Sequence, residues 1–286
     1  MKNLFKLTLL SVFMLTSMFA VESSLLNSAD SKVKVSFEIE TGTVGVLSHT
    51  YQSGRTEEGA TRFDYVKQGG QDVLFPFDRY VANITIKEKH KISLMYQPLK
   101  VTTNVTFRDD VMVDSVLFSK GTPMELSYGF PFYRITYSYS FINSENFTLA
   151  GGLALQARNA NIVFKALDGT AMTVANNVGP VPSLNLNGRY DFNGGAFLGF
   201  EVTGLYASSA IINGASFAFE GSILDASLRG GYTLIDGLDV FANFRFLGGT
   251  SKGESQYIER NWSETNERYG INNLATSSFT LGISLY

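Results

Sequence analysis

Past its first thirty residues the chain alternates. Segments of roughly ten residues carry apolar side chains at every second position and polar ones between, and turn-forming or polar stretches separate them. This period-2 pattern at that length is what a membrane-crossing β-strand writes into a sequence. In the first segment (31–46), Val33, Val35, Phe37 and Ile39 share one face, and Lys34, Ser36, Glu38 and Glu40 share the other. The second (75–87) sets Tyr80, Ala82, Ile84 and Ile86 against Arg79, Asn83, Thr85 and Lys87. The third, from Lys91, sets Ile92, Leu94 and Tyr96 against Ser93, Met95 and Gln97. Pro98 then limits how far that strand can run inside a sheet, because proline removes a ladder donor. The fourth segment (124–141) carries Ile135, Tyr137, Tyr139 and Phe141 opposite Arg134, Thr136, Ser138 and Ser140, and the fifth (147–164) carries Leu149, Leu153 and Leu155 opposite Gln156 and Arg158.

The later segments repeat the pattern. Leu184, Leu186 and Tyr190 oppose Arg189 and Asp191 in the sixth (181–192), and Leu198, Phe200, Val202 and Tyr206 oppose Glu201 and Thr203 in the seventh (196–208). Leu224, Leu228 and Tyr232 oppose Asp225 and Arg229 in the eighth (217–234). Val240, Phe244 and Phe246 oppose Asp239, Asn243 and Arg245 in the ninth (238–249), and residues 275–286 form the tenth. The connections after the even-numbered strands are short: Glu88-Lys89-His90, Asn143 to Asn146, Asn193-Gly194-Gly195 and Ile235-Asp236-Gly237. The others are mostly long and polar, notably 48–72, 101–123, 165–180 and 250–274. Asn-Gly and Asp-Gly supply the positive φ that tight hairpins need. Short turns at one end and long loops at the other predict an all-β fold, a closed antiparallel transmembrane barrel of about ten strands with its short turns periplasmic. Eight strands is the smaller alternative. Twelve is the larger, if 101–118 hides two more.

A soluble β-sandwich also alternates. The segments here are long for a sandwich, whose strands run to about five or six residues, and suit the roughly 9–11 tilted residues that cross a bilayer. A sheet in lipid cannot leave an open edge, so closure follows.

The N-terminus changes the picture of where the chain goes. Lys2 and Lys6 precede an apolar run over 7–21, and Ala20 is a small residue before a cut. The run is too short for a spanning helix and reads as a secretory signal. The expectation is a signal peptide over 1–20 and one barrel domain over 21–286. The chain has no cysteine, so neither a disulfide framework nor a cysteine metal site is available. It has 23 Phe, 14 Tyr, 27 Gly and only 6 Pro, a composition that favours strands. A net charge of −3 argues against a nucleic-acid partner.

These features, with the ending Phe279-Thr280-Leu281-Gly282-Ile283-Ser284-Leu285-Tyr286, resemble Gram-negative outer-membrane β-barrel proteins as a class. The resemblance is architectural and covers the chain after the signal. It implies the outer membrane as location, outer-membrane lipid and lipopolysaccharide as surroundings, and recognition of the last strand by the barrel-insertion machinery through Tyr286. One feature departs from the class pattern: Phe279, Leu281, Ile283 and Leu285 are out of phase with Tyr286.

The polar face of the strands lines the lumen. It is predicted to carry Arg79, Arg134, Arg158, Arg189, Glu201, Asp225, Arg229, Asp239 and Arg245, with Lys34, Glu38 and Glu40 on the first strand. Buried charges have to be paired, so the simplest reading is a structural ion network, and a narrow pore with the same lining is the next. Asp239 and Asp191 are the candidate partners of Arg229. Catalysis would call for a barrel hydrolase with a base such as histidine near a nucleophile. His90 lies in a short turn and His49, between Ser48 and Thr50, lies just past the first strand, where it reads as a solvated loop residue. The N-x-S/T triplets at Asn83, Asn104, Asn146 and Asn261 are chance matches, and Asp109, Asp110 and Asp114 read as a solvated loop. The expectation is a structural, adhesive or narrow-channel barrel, without cofactor or metal and not an enzyme. The alternative is a lipid or peptide hydrolase with its site at the extracellular rim.

Overall fold

The computed structural model describes residues 32–208, 219–258 and 265–286, so the expected signal segment lies outside the described residues. Ten antiparallel strands close into a ring: β1 (Val33–Ser53), β2 (Leu74–Ile86), β3 (His90–Gln97), β4 (Phe132–Asn143), β5 (Phe147–Ala166), β6 (Met172–Asp191), β7 (Ala196–Ser208), β8 (Phe219–Ile235), β9 (Leu238–Ile258) and β10 (Thr265–Leu285). Each pairs with its neighbour in sequence, and β10 pairs with β1 to shut the barrel. Every backbone edge in the ring is thereby satisfied, as lipid requires. The outward face carries Leu153, Leu184, Leu228 and Leu281, each about as exposed as a surface residue of a soluble protein would be. Apolar side chains facing out, with polar ones facing in, is a soluble core turned inside out. In outer-membrane barrels the short turns are periplasmic, and the two ends are named accordingly below.

Several strands outrun their alternation. β1 continues to Ser53, β6 begins at Met172, β9 runs to Ile258 and β10 begins at Thr265. The expected polar loops over 165–180 and 250–274 are largely strand, with Leu167–Ala171 as the whole connection between β5 and β6. In the sequence of β9 and β10 the alternation stops there, while backbone pairing goes on.

The expected fourth strand, 124–141, is broken. Pro123–Gly129 pairs with the upper part of β5 (Asn161↔Gly129 to Ala166↔Met124), and β4 takes over lower down from Arg158↔Phe132. Phe130 and Pro131 interrupt the line. The neighbouring strand breaks at the same level: β3 ends at Gln97, Pro98 and Leu99 intervene, and Lys100–Thr106 resumes against Pro123–Gly129. Two prolines therefore cut both arms of one hairpin side by side. Residues 101–118 hold strands, including the small hairpin Val111–Val113 with Val116–Phe118, but none joins the ring.

The hairpin keeps β5 as its partner on one side, and its side chains cover the extracellular mouth. Val101, Phe107, Phe118, Leu126 and Tyr128 are buried with Phe63 and Tyr65 of the β1–β2 connection and with Tyr51, Ile162 and Phe164 of the wall. Tyr128 spans the opening, and its hydroxyl accepts a hydrogen bond from Asn272 Nδ2 on β10 at 2.9 Å. The roof makes up much of the buried apolar cluster formed by the described residues.

Tyr286 does not extend β10. Its N–H donates to the Gly237 carbonyl at 3.0 Å and its hydroxyl donates to Asp239 Oδ1 at 3.3 Å. Asp239 points inward, so the last residue turns toward the lumen. That accounts for its being out of phase with the strand before it.

Candidate functional site

Two layers fill the lumen beneath the roof. The middle layer is built from side chains at inward positions of six strands. Arg79 on β2 lies 2.9 Å from Glu40 on β1 and 3.0 Å from Glu201 on β7. Arg134 on β4 lies 2.7 Å from Asp225 on β8 and 3.9 Å from Glu201. Arg245 on β9 pairs with the same Asp225 and lies 3.6 Å from Glu201. Arg229 on β8 reaches Glu38 at 2.7 Å and Glu40 at 3.2 Å, both on β1. Four arginines thus meet four carboxylates. The set is electroneutral and needs no counter-ion from solvent. Its contacts cross the barrel as well as running between neighbouring strands.

The carboxylates are well supplied with donors. Glu40, 1% exposed, accepts from Arg79, Arg229, Asn243 Nδ2 (2.7 Å) and Thr280 Oγ1 (2.8 Å). Arg134 also donates from Nε and Nη2 to Gln156 Oε1, at 3.2 and 3.0 Å. Hydrogen bonds that complete the remaining lone pairs are what a buried ion pair needs to hold. Gln156 and Asn243 stand on the polar faces read from the sequence, but they and Thr280 were not among the lining charges, because a search by charge passes over neutral residues. Asn243 and Gln156 share the phase of Arg245 and Arg158 on their strands, and Thr280 lies opposite the apolar phase of Phe279 and Leu281.

The lower layer lies toward the periplasm. Arg189 bridges Asp191 at 2.7 Å and Asp239 at 2.5 Å. Its guanidinium sits 3.8 Å over the Phe197 ring, and that of Arg229 sits 4.0 Å over Phe241. The two rings in turn lie on glycines. A Cβ on Gly231 would stand 2.3 Å from the Phe197 ring, and one on Gly282 would stand 2.4 Å from that of Phe241. The carboxylates expected for Arg229 therefore belong to Arg189, and Arg229 uses β1 instead. Of the expected lining residues, Arg158 lies in β5 with its side chain outside the described residues. Lys34 sits at the periplasmic rim, 2.9 Å from Glu88.

The histidines occupy different settings. His90, in the periplasmic turn, shares a hydrogen bond through Nδ1 with the Tyr137 hydroxyl at 2.9 Å. His49 is not a solvated loop residue: it is 1% exposed. The register of β1 shifts between Val46 and Ser48, and this bulge turns His49 and Tyr51 inward where unbroken alternation would send them out. The imidazole stacks on Tyr65 (4.2 Å), meets Tyr128 edge-on (4.3 Å), and pairs through Nδ1 with Gln71 Oε1 at 2.7 Å. It ties both parts of the roof to the wall. Among the acidic loop residues, Asp110 accepts from the Lys120 N–H at 2.7 Å and Asp114 accepts from the Ser53 hydroxyl. Among the described residues no group of three or more His, Cys, Asp or Glu gathers as a metal site would require.

No protein-family model matches the chain, and no curated protein matches it. Solved structures do. The outer membrane protease OmpT from Escherichia coli matches with a TM-score of 0.52 at 12% identity, over 88% of this chain and 96% of that one. The transport unit of the autotransporter AIDA-I from Escherichia coli matches with a TM-score of 0.40 at 10% identity, over 94% and 97%. The outer membrane protein OprG from Pseudomonas aeruginosa matches with a TM-score of 0.33 at 10% identity, over 88% and 96%. With its ten-strand closure and inverted faces, the chain has the fold of a Gram-negative outer-membrane β-barrel.

Proposed function

We propose that the protein is an outer-membrane barrel with a shut lumen, which serves the envelope structurally or by adhesion. The observation that carries this reading is the double closure: a neutral ion network at mid-height and an ordered aromatic roof above it. A conducting pore would leave unpaired charge facing water along one continuous path. Here the arginines and carboxylates are spent on one another, and the roof hairpin is bound to the far wall. Among the described residues, what faces the outside is the aromatic roof and the strand ends around it. A non-catalytic role is supported by His49, whose Nδ1 partner is an amide and whose ring lies between two tyrosines inside the roof. Export by a cleaved signal, contact with lipopolysaccharide, and insertion through the last strand complete the proposal.

Single-channel recording in a planar bilayer tests it. The wild-type protein should be silent. An Arg79→Ala, Arg245→Ala variant should stay silent or flicker, because the roof remains. A further Tyr128→Ala substitution, which frees the hairpin from Asn272, should bring conducting events. Large steady steps from wild-type protein would overturn the closed-lumen reading.

A further inference from the structure

We propose that the periplasmic tip of the β2–β3 hairpin is a binding site for the headgroup of an anionic phospholipid in the inner leaflet. Among the described residues, lysines gather there and nowhere else on that rim. Lys87 and Lys89 are exposed in the turn, and Lys32 lies beside them at the start of β1. The backbone fixes the group: the Lys87 N–H donates to the Lys32 carbonyl at 2.7 Å, and the Ser140 N–H of β4 donates to the Lys89 carbonyl at 2.8 Å. The one carboxylate in the turn, Glu88, is taken by Lys34 at 2.9 Å. Lys32, Lys87 and Lys89 form no ion pair among the described residues. The other short turns carry no such charge; they are Asn143 to Asn146 with Glu145, Asn193-Gly194-Gly195, and Asp236-Gly237.

What lies next to these lysines identifies the occupant. Ile84, Ile92, Tyr137 and Leu153 face one another across β2 to β5 in a single outward row, all exposed. Tyr139 is outward one step nearer the turn and pairs with His90. Apolar side chains in the bilayer, then tyrosines, then lysines is the order of an acyl chain, its glycerol region and its phosphate. A soluble anion would have no use for the first two. The turn also keeps its side chains at a cost in conformation. Lys87 and Glu88 hold φ of 52° and 58°, whereas the turns at Gly194 and Gly237 put glycine at 102° and 87°.

The test uses the full-length protein folded into vesicles of zwitterionic phospholipid, with spin-labelled phosphatidylglycerol or phosphatidylcholine as reporter. Paramagnetic resonance then gives the share of each held at the protein surface. The wild type should favour phosphatidylglycerol, by about fivefold for each lysine that reaches the phosphate, and high salt should weaken the preference. The Lys87→Gln, Lys89→Gln variant should lose most of it. A Lys100→Gln, Lys120→Gln variant, altered at the extracellular end, should keep it. Equal preference in wild type and the turn variant would overturn the proposal. So would loss of preference on adding inorganic phosphate where chloride of the same ionic strength has no effect, since that marks a site for free anions. Gel mobility before and after boiling checks the fold of each variant, and conductance reports the lumen separately, so this proposal and the closed-lumen reading fail independently.

Discussion

Arg79 and Glu40 face each other across the β1–β2 ladder, 2.9 Å apart, with exposures of 3% and 1%. Neither has water to turn to. Removing one partner therefore leaves the other as a buried charge. Arg79→Ala, which also deprives Glu201, should cost about 3–5 kcal/mol, read from urea unfolding of the protein in lipid vesicles. The double variant Arg79→Ala, Glu40→Ala should cost clearly less than the sum of the two single changes, because the second deletion removes the orphan left by the first. Strict additivity would mean that the pair is not coupled in the folded protein.

The two faces of β8 make a second prediction. Leu228 is 60% exposed, and Arg229 beside it reaches Glu38 and Glu40. Leu228→Arg should cost about 2–4 kcal/mol near the bilayer midplane, while Arg229→Ala should act through the two glutamates. Single cysteines over 224–232 should react with a lipid-soluble reagent at even positions only. A labelling period near 3.6 would contradict the strand.

How far the sequence reveals this architecture depends on what surrounds each residue. Ten strands were legible because lipid forces a strict contrast between faces, and Leu228 against Arg229 needed nothing more. The upper ends of β9 and β10 were not legible, because apolar and polar side chains no longer alternate in the sequence there, as in Ser251-Lys252-Gly253-Glu254-Ser255, and that of β6 read as a connection because it follows the turn residues Asp168 and Gly169. The roof was not legible: Val101 and Phe107 read as part of a charged connection and Leu126 as the start of the fourth strand, and they meet Phe63 and Tyr65 only when the chain covers the mouth. Pro98 marks the limit of its strand in the sequence alone. Its alignment with Pro131 is a property of the register between two strands. The inward position of His49 turns on one inserted residue, and a slip of one reverses every face beyond it. The charged lining positions could be named from phase, but the partners of Arg229 depend on which strands the barrel's curvature brings across the lumen.

Adjacent glycines on β8 give a third prediction with an internal control. A Cβ on Gly231 would stand 2.3 Å from the Phe197 ring and 2.5 Å from the Val240 carbonyl, whereas one on Gly230 would meet Leu198 Cδ2 at an ordinary 3.6 Å. Gly231→Ala should force the ring off its seat and cost about 1–3 kcal/mol, the usual range for overpacking. It should also loosen Arg189, which lies over that ring. Gly230→Ala should be close to neutral. Unfolding midpoints of the two variants in the same vesicles check the contrast, and equal effects would mean that Phe197 does not rest on the glycine.

The last prediction concerns pH at the roof. His49 lies above Leu47, the last lipid-facing apolar residue of β1, and so outside the hydrocarbon. Burial lowers its pKa to about 4, against smaller opposing effects from the Gln71 hydrogen bond, the charge of Asp64 and Asn272. Tyr65 and Tyr128 cover its two sides and carry no charge at these pH values. The folded-state pKa is below the unfolded value of 6.5, so the neutral ring is the form the roof accepts. Above pH 6.5 both states are neutral and the stability of the roof is constant. As the pH falls from 6.5 toward 4 the opened state takes up a proton that the closed state refuses, and closure weakens by up to about 3 kcal/mol. Below that the ring protonates in place and the loss levels off. Protease cleavage within 54–73 or 98–131, followed across this range with an acid-active enzyme, should accelerate as the pH drops. The same measurement on His49→Gln, which cannot titrate but retains a polar group toward Gln71, should be flat over the window apart from the enzyme's own profile. A wild-type profile as flat as that of the variant would show that His49 is not what holds the roof to the wall.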